Sequence, residues 1–312
     1  MKVICITPVD HLPGFLEEFK QVCQLDYFPN VEYQNLRSLL LTREYDAIFT
    51  NPNKQNFLID RNLLKGTSIK LVNTASTGLN HINIQDCKDL DIEVLSLTRD
   101  YGLIRKLPST SELAFGLALS LMRKIPQSFD SVKSGQWDYE PFVGRQLSGL
   151  TAGIIGYGRL GTFMARYCNA FGMNVIVCDP YKNVFNFDQV ELEEVMKRSD
   201  LISLHVHVKE DTFEMINQKT LSSCEKSPYI VNTSRGEIVN ENDILSSLRS
   251  GEISGYGTDV IVDEFSNFSN SDIIRASNSE DLNLIITPHI GGMSIEGQNR
   301  AYLHAIGKFK ND

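Results

Sequence analysis

Positive charge is in short supply in this chain, where 30 Lys and Arg stand against 39 Asp and Glu for a formal net charge of -9. Sequence-independent binding to nucleic acid relies on Lys and Arg neutralising phosphates, so nucleic acid is not expected as a partner. Long apolar runs are missing as well. The strongest, Ala114 to Met122, is interrupted by Gly116 and Ser120, well short of the ~20 residues a bilayer-spanning helix needs, and no membrane partner is expected. Cys5, Cys23, Cys87, Cys168, Cys178 and Cys224 are scattered and form no C-x-x-C pair, which argues against both a disulfide framework and a zinc knuckle; no metal is expected. The opening Met1 to Asp10 holds one Lys and only the short apolar run Val3 to Ile6, a better strand than secretion signal. The expected compartment is the cytoplasm.

What is present describes a folded α/β chain. Its 312 residues are 42% hydrophobic and 22% charged, a balance typical of globular proteins, and the length suits two domains of ~150 residues each. Short apolar runs at Lys2 to Thr7, Ala47 to Thr50, Lys70 to Thr74 and Ile92 to Leu95 alternate with helix-permissive segments, the pattern of a parallel sheet. Ser109-Thr110-Ser111-Glu112 then reads as a helix start, followed by good helix formers to Arg123, apolar on all sides. A second series has strands at Thr151 to Ile155, Asn174 to Cys178, Leu201 to Val206, Tyr229 to Asn232, Gly255 to Asp259 and Leu284 to Thr287. The fold class expected is two doubly wound, Rossmann-like units with parallel sheets, with Ser266 to Ser279 as a flexible surface loop.

The strongest motif is Gly156-Tyr157-Gly158-Arg159-Leu160-Gly161, placed between the apolar strand Gly153-Ile154-Ile155 and a helix to Ala170, with Asp179 at the end of the next strand. This is the context of a dinucleotide fingerprint: Gly156 for the tight turn, Gly158 for close approach of the backbone to a pyrophosphate, Gly161 for helix packing, and free amides at the helix start for the anion. Asp179 suits two ribose hydroxyls and repels a 2′-phosphate, which selects NAD over NADP. Arg159 and Leu160 inside the motif, with His205 and Thr233 after later strands, are further cofactor-site candidates. Arg235 follows a strand end and carries a fork for a carboxylate; Asp259 ends another strand, Glu264 follows it, and His289 lies in the turn Thr287-Pro288-His289-Ile290-Gly291-Gly292.

Taken together these blocks resemble the D-isomer-specific 2-hydroxyacid dehydrogenases. The resemblance is carried by Asn73-Thr-Ala-Ser-Thr-Gly-Leu-Asn-His-Ile-Asn83, Gly135-Gln-Trp137 through Leu147-Ser-Gly149, Asn232-Thr-Ser-Arg-Gly236, Thr258-Asp-Val260 and Thr287-Pro-His-Ile-Gly-Gly292. It implies hydride transfer between NAD and a small 2-hydroxy or 2-oxo acid. His289 would be the proton donor, Glu264 its carboxylate partner, Arg235 the substrate-carboxylate clamp, Asp259 the contact to the nicotinamide carboxamide, and Ser76, Thr77 and Gly78 the loop whose amides complete the carboxylate site. It also implies a substrate domain of residues 1–98 and 290–312 around an inserted nucleotide domain of 99–289, an active site in the cleft between them, and a homodimer.

Three departures from the family pattern stand out: Phe265 where Pro is common, His207 where Pro is common, and a tail after Gly292 too short for a regulatory module. Arg99, Arg105 and Lys106 flank Asp100 to Ile104 and suit either a phosphorylated acid or a solvated loop; Tyr101 either contacts substrate or packs; His81 is either near the substrate or structural. An NAD-responsive, corepressor-like binding protein is the alternative reading, and formate oxidation is disfavoured by Glu264, where that chemistry uses Gln.

Overall fold

The computed structural model describes residues 1–51, 57–262, 264 and 271–310. Phe265 and residues 266–270 lie outside the described residues, so the expectations placed on them go no further. The chain divides into two compact units, Met1–Leu107 with Met293–Asp312, and Pro108–Gly292. Residues 99–107 therefore belong with the first unit and 290–292 with the second, the reverse of the expected boundaries. The physical reason is local: Leu103, Ile104 and Leu107 pack into the first unit's core, and Gly291 donates its amide to Asp259 in the second.

The first unit is a five-stranded parallel sheet of β1 (Lys2–Cys5), β2 (Gln24–Tyr27), β3 (Ala47–Phe49), β4 (Leu71–Asn73) and β5 (Glu93–Leu95), in the order β2-β1-β3-β4-β5. Strands buried on both faces read as continuous apolar runs, and β1, β3 and β4 do so. The edge strand β2 escaped the sequence reading because Gln24-Leu-Asp-Tyr27 is half exposed and mixes polar with apolar residues. One face of the sheet is covered partly by the helix Ile295–Gly307, whose Ala301, Tyr302, Ala305 and Ile306 enter the same core as Phe15, Phe19 and Phe49.

The second unit holds β6 (Thr151–Ile155), β7 (Asn174–Cys178), β8 (Asp188–Gln189), β9 (Leu201–Leu204), β10 (Tyr229–Asn232), β11 (Gly255–Thr258) and β12 (Leu284–Ile286) in one parallel sheet, order β12-β11-β10-β9-β6-β7-β8. From β6 the chain winds outward to β8 and then returns to the other side of β6 at β9, which creates a crevice outside the carboxyl ends of β6 and β9, the place where open α/β sheets bind ligands. Strand β8, two exposed residues long, carried no apolar signal. The helix Ser109–Met122 packs on this sheet and buries Ser111, Ala114, Phe115, Leu117, Ala118, Leu121 and Met122. Glycine at 257 makes that approach possible, because a Cβ there would sit 3.1 Å from the Leu121 side chain. Where a loop was expected to Ser279, Asp272–Ser279 is a helix that buries Ile273 and Ala276; its two apolar contacts outweigh a polar composition that reads as loop.

Candidate active site

At the crevice the glycine motif is fixed by contact. Gly156 has φ of 90°, and a Cβ on it would lie 2.7 Å from the His205 carbonyl oxygen. At Gly161 a Cβ would lie 2.0 Å from the Gly156 carbonyl oxygen, whereas at Gly158 it would meet nothing within 4 Å. Two glycines thus lock the turn while the third leaves open space. Gly158 caps the helix Arg159–Ala170 without any side-chain capping bond, so the first amides of the helix face that opening, the arrangement that attracts a pyrophosphate. Arg159 is partly buried, which lowers the pKa of its guanidinium. The Leu160 carbonyl is used in packing, accepting from the Ser111 hydroxyl at 2.9 Å.

Asp179 is 8% exposed. Each of its oxygens accepts one backbone amide, from Tyr157 at 2.8 Å and from Tyr181 at 2.9 Å, which leaves acceptor capacity on both for ribose hydroxyls. Two polar atoms at the neighbouring strand ends are buried with no hydrogen-bond partner among the described residues, Nδ1 of His205 after β9 and Oγ1 of Thr233 after β10. Orphaned buried groups of this kind are rare and call for a missing partner. An adenosine, a pyrophosphate and a second ribose match the acceptor, the open amides and these orphans, so the residues fit a dinucleotide. The other His205 nitrogen lies 2.9 Å from the Ser203 hydroxyl, and burial drives the imidazole pKa down to about 3, holding the ring neutral.

Further along the same carboxyl edge, Asn232, Thr258 and Ile286 are in register across β10, β11 and β12. Neighbouring strands lie ~4.8 Å apart, so the turns that follow these three residues are close neighbours. The first carries Arg235. Asn232 builds it, accepting from the Ser234 amide at 3.0 Å and donating to the Arg235 carbonyl at 2.8 Å, while the Ser234 hydroxyl donates to the Leu204 carbonyl at 2.7 Å. Gly236 then allows contact with the next turn, since a Cβ there would be 2.2 Å from the Ile261 carbonyl carbon. The Arg235 side chain is partly buried, and one of its amino groups donates to the Ser234 carbonyl at 2.6 Å.

The third turn carries His289, a non-glycine residue at φ of 54°. Such a conformation persists only where its surroundings enforce it, and here Asp259 does so. Its Oδ1 accepts from the Thr287 hydroxyl at 2.6 Å and the Ile290 amide at 2.8 Å, and its Oδ2 accepts from the Gly291 amide at 2.7 Å. Burial pushes the Asp259 carboxyl up in pKa while these donors pull it down. The resemblance implies a contact from Asp259 to the nicotinamide carboxamide; both of its oxygens bond the turn beneath His289. His289 directs Nδ1 at both oxygens of Glu264, at 2.9 and 3.0 Å. A carboxylate at Nδ1 favours a proton on that nitrogen. Its imidazole is 41% exposed while Glu264 is 15% exposed, so the ring is reachable and its partner sheltered.

The Ser76 to Gly78 loop belongs to the first unit. The Gly78 amide, expected to be free for a carboxylate, donates to the hydroxyl of Ser76 at 3.0 Å; the tight turn brings that closer acceptor within reach. His81 is buried, 3.1 Å from the Thr74 hydroxyl, and burial lowers its pKa to about 4, so its place is in the packing of the loop. Arg99, Arg105, Lys106 and Tyr101 lie on the outside of the unit, with Tyr101 62% exposed. Asp100 between them binds Lys308 at 2.6 Å and His304 at 3.3 Å. The carbonyl of His207 accepts the Thr212 hydroxyl at 2.6 Å, which closes the turn that Pro would otherwise set.

Sequence reasoning missed Asn232, Gly236 and Thr287 as builders of these turns. A hydroxyl before Pro288 and an Asn at a strand end were the available signals, for both residue types bond readily to nearby backbone.

Comparison with known proteins agrees with this geometry. The profile described as "D-isomer specific 2-hydroxyacid dehydrogenase, NAD binding domain" matches residues 115–291. Hydroxypyruvate reductase of Thermotoga maritima is 34% identical over 78% of this chain and 77% of its own length, and glyoxylate reductase of Thermococcus litoralis is 31% identical over 84% and 79%. Rat D-3-phosphoglycerate dehydrogenase is 32% identical over 74% of this chain, which spans only 42% of that protein. The apo structure of D-lactate dehydrogenase from Escherichia coli shares the fold, with a TM-score of 0.83, 22% identity, and coverage of 100% of this chain and 96% of that one. The chain belongs to the D-isomer-specific 2-hydroxyacid dehydrogenase family, an NAD(H)-binding family of oxidoreductases. These matches lend no support to the corepressor-like alternative. No described helix is long and apolar enough to cross a membrane.

Proposed function

We propose that the chain interconverts a short D-2-hydroxy acid and its 2-oxo acid, with hydroxypyruvate or 3-phosphohydroxypyruvate as the oxidised substrate. The observation that carries this reading is the His289–Glu264 pair, held on a constrained turn at the sheet edge that also bears Arg235. When bound, NADH supplies the hydride that adds to C2 of the oxo acid. The guanidinium of Arg235 binds the substrate carboxylate and draws charge toward the carbonyl. Nε2 of the protonated His289 gives its proton to the carbonyl oxygen as the C–H bond forms, and Glu264 stabilises the imidazolium before the transfer. In the oxidative direction the neutral imidazole takes the hydroxyl proton. The amide of Thr77 is assigned to the same carboxylate, on the turn that the Ser76 hydroxyl and Gly78 close between them, and His205 and Thr233 to the nicotinamide-side ribose.

The test is NADH oxidation across a panel of hydroxypyruvate, 3-phosphohydroxypyruvate, glyoxylate, pyruvate and branched 2-oxo acids. Turnover highest with one of the first two is expected. If NADH binds and no 2-oxo acid is reduced, the proposal fails.

A homodimer in the cytoplasm completes the reading. Six free cysteines suit a reducing compartment. The segment 125–143 exposes Phe129 at 61%, Trp137 at 91%, Tyr139 at 81% and Val143 at 74%, and it is the surface assigned to the dimer contact. Sedimentation at micromolar concentration is expected to give twice the 35.2 kDa chain mass, and Trp137→Asp to give monomer. A monomeric parent chain would remove this assignment.

A further inference from the structure

The helix Ile295–Gly307 ends at a cation that the proposed chemistry does not use. Lys308, the residue after it, donates from Nζ to the carbonyl oxygen of Ser96 at 2.7 Å and to Oδ2 of Asp100 at 2.6 Å. Asp100 also meets His304 Nε2 at 3.3 Å through Oδ1, so the ammonium is steered to the Ser96 carbonyl by a carboxylate that is itself held. Lys308 and Asp100 are both partly buried, which shelters the contact from water.

That carbonyl begins a series. A trans peptide sets its C=O and N–H antiparallel, and the described residues include no cis peptide bond, so the peptide group that Ser96 shares with Leu97 presents its N–H on the side away from Lys308. The Leu97 amide donates to the carbonyl of Ser76 at 3.0 Å. Ser76 in turn shares its peptide group with Thr77, whose amide is the one assigned to the substrate carboxylate. Lys308 Nζ, the Ser96–Leu97 peptide and the Ser76–Thr77 peptide therefore form one hydrogen-bonded series, all oriented in the same sense and ending at the Thr77 N–H. Every member lies in the first unit. Neighbouring contacts fix the series in place: Leu97 is buried in the core, the Thr98 hydroxyl donates to the Thr77 carbonyl at 3.3 Å, and the Thr74 hydroxyl and His81 Nε2, 3.1 Å apart, close the base of the loop.

We propose that Lys308 is a positioning residue for the substrate carboxylate, acting through these two peptide groups to aim and polarise the Thr77 amide. The inference rests on the assignment of that amide under the proposed function. Hydrogen bonds in series polarise one another, by about 10–30% per bond, and a bond from an ionised donor is about twice as strong as a neutral one. Positive potential is thus carried to the place where the carboxylate arrives, from a lysine that does not touch it. The gain falls on binding. The carboxylate keeps its charge before and during hydride transfer, so the contact holds ground state and transition state alike and lowers KM while leaving kcat as it is.

The experiment is steady-state NADH oxidation by the full chain with the 2-oxo acid that the panel selects. Lys308→Met, which keeps the stem and removes the charge, is expected to raise KM for the oxo acid about 10-fold, the scale of one hydrogen bond to a charged group, with kcat and KM for NADH within about twofold of the parent. Lys308→Arg, which returns a charged donor, is expected to bring KM back to within about threefold of the parent. Asp100→Asn leaves an acceptor beside Nζ and the Ser96 contact in place, and is expected to raise KM by less than about threefold. Unchanged KM in Lys308→Met overturns the inference, as does a change in kcat or in KM for NADH as large as that in KM for the oxo acid. An Asp100→Asn variant that matches Lys308→Met makes the ion pair the agent and overturns it too. Where Lys308→Met loses its helical circular dichroism, Lys308→Gln takes its place, with an expected rise of about 5-fold and the same overturning results. A parent chain that reduces no 2-oxo acid removes the proposed function and this inference with it, whereas an active parent with Lys308→Met unaffected removes this inference alone.

Discussion

Replacing His289 with Asn is expected to lower kcat by about 10²- to 10⁴-fold, the range that a positioned acid contributes, while the NADH dissociation constant stays within about threefold. Asn is the informative choice because His289 sits at φ of 54°, and Asn is among the few non-glycine residues that enter this region readily. The Asp259 bonds to Thr287, Ile290 and Gly291 are then retained, so the turn survives and only the proton donor is lost. Stopped-flow single-turnover oxidation of NADH measures the chemical step apart from product release. A variant that turns over at the parent rate would remove His289 from the reaction and leave Glu264 without a catalytic role.

Arg235→Ala is expected to cut kcat/KM by about 10³-fold, with KM raised and kcat lowered together. The guanidinium serves two purposes in the proposed reaction: it binds the substrate carboxylate before hydride transfer and stabilises charge on the carbonyl during it. Losing one such donor costs ~10²–10³-fold in rate, and losing the anchor adds to this. The side chain's own bond is to the adjacent Ser234 carbonyl, and the turn is built by Asn232 and Gly236, so its removal leaves the backbone in place. Added guanidinium ion is expected to restore part of the activity of the Ala variant; Arg235→Lys, with a point charge in place of a planar fork, should recover less than half of the loss in free-energy terms. Unchanged kcat/KM in Arg235→Ala would sever Arg235 from the substrate.

The central strands were legible because they are buried on both faces and their sequences say so. Thr151–Ile155 and Asn174–Cys178 begin and end where the apolar runs do. Edge strands obey no such rule, and Gln24–Tyr27 and Asp188–Gln189 went unseen. The chemical groups were legible by type and order, since Arg, Glu and His each follow a strand in the second unit. Their support was not. That Asp259 braces the His289 turn depends on β11 and β12 lying side by side, a pairing no local pattern announces. The same holds for Gly236, whose necessity comes from Ile261, distant in sequence and in contact through the fold.

The first unit's core is discontinuous along the chain. Phe15, Phe19 and Phe49 meet Tyr302 and Phe309 in a set of ring contacts, so the aromatic cluster lacks two members until residues 302 and 309 are synthesised. The second unit, by contrast, is one uninterrupted stretch from Pro108 to Gly292. During synthesis, when domains tend to fold as units in order of emergence, here the order inverts. The nucleotide-binding unit, Pro108–Gly292, is complete first, and the unit begun before it waits with an apolar seam open for the helix Ile295–Gly307.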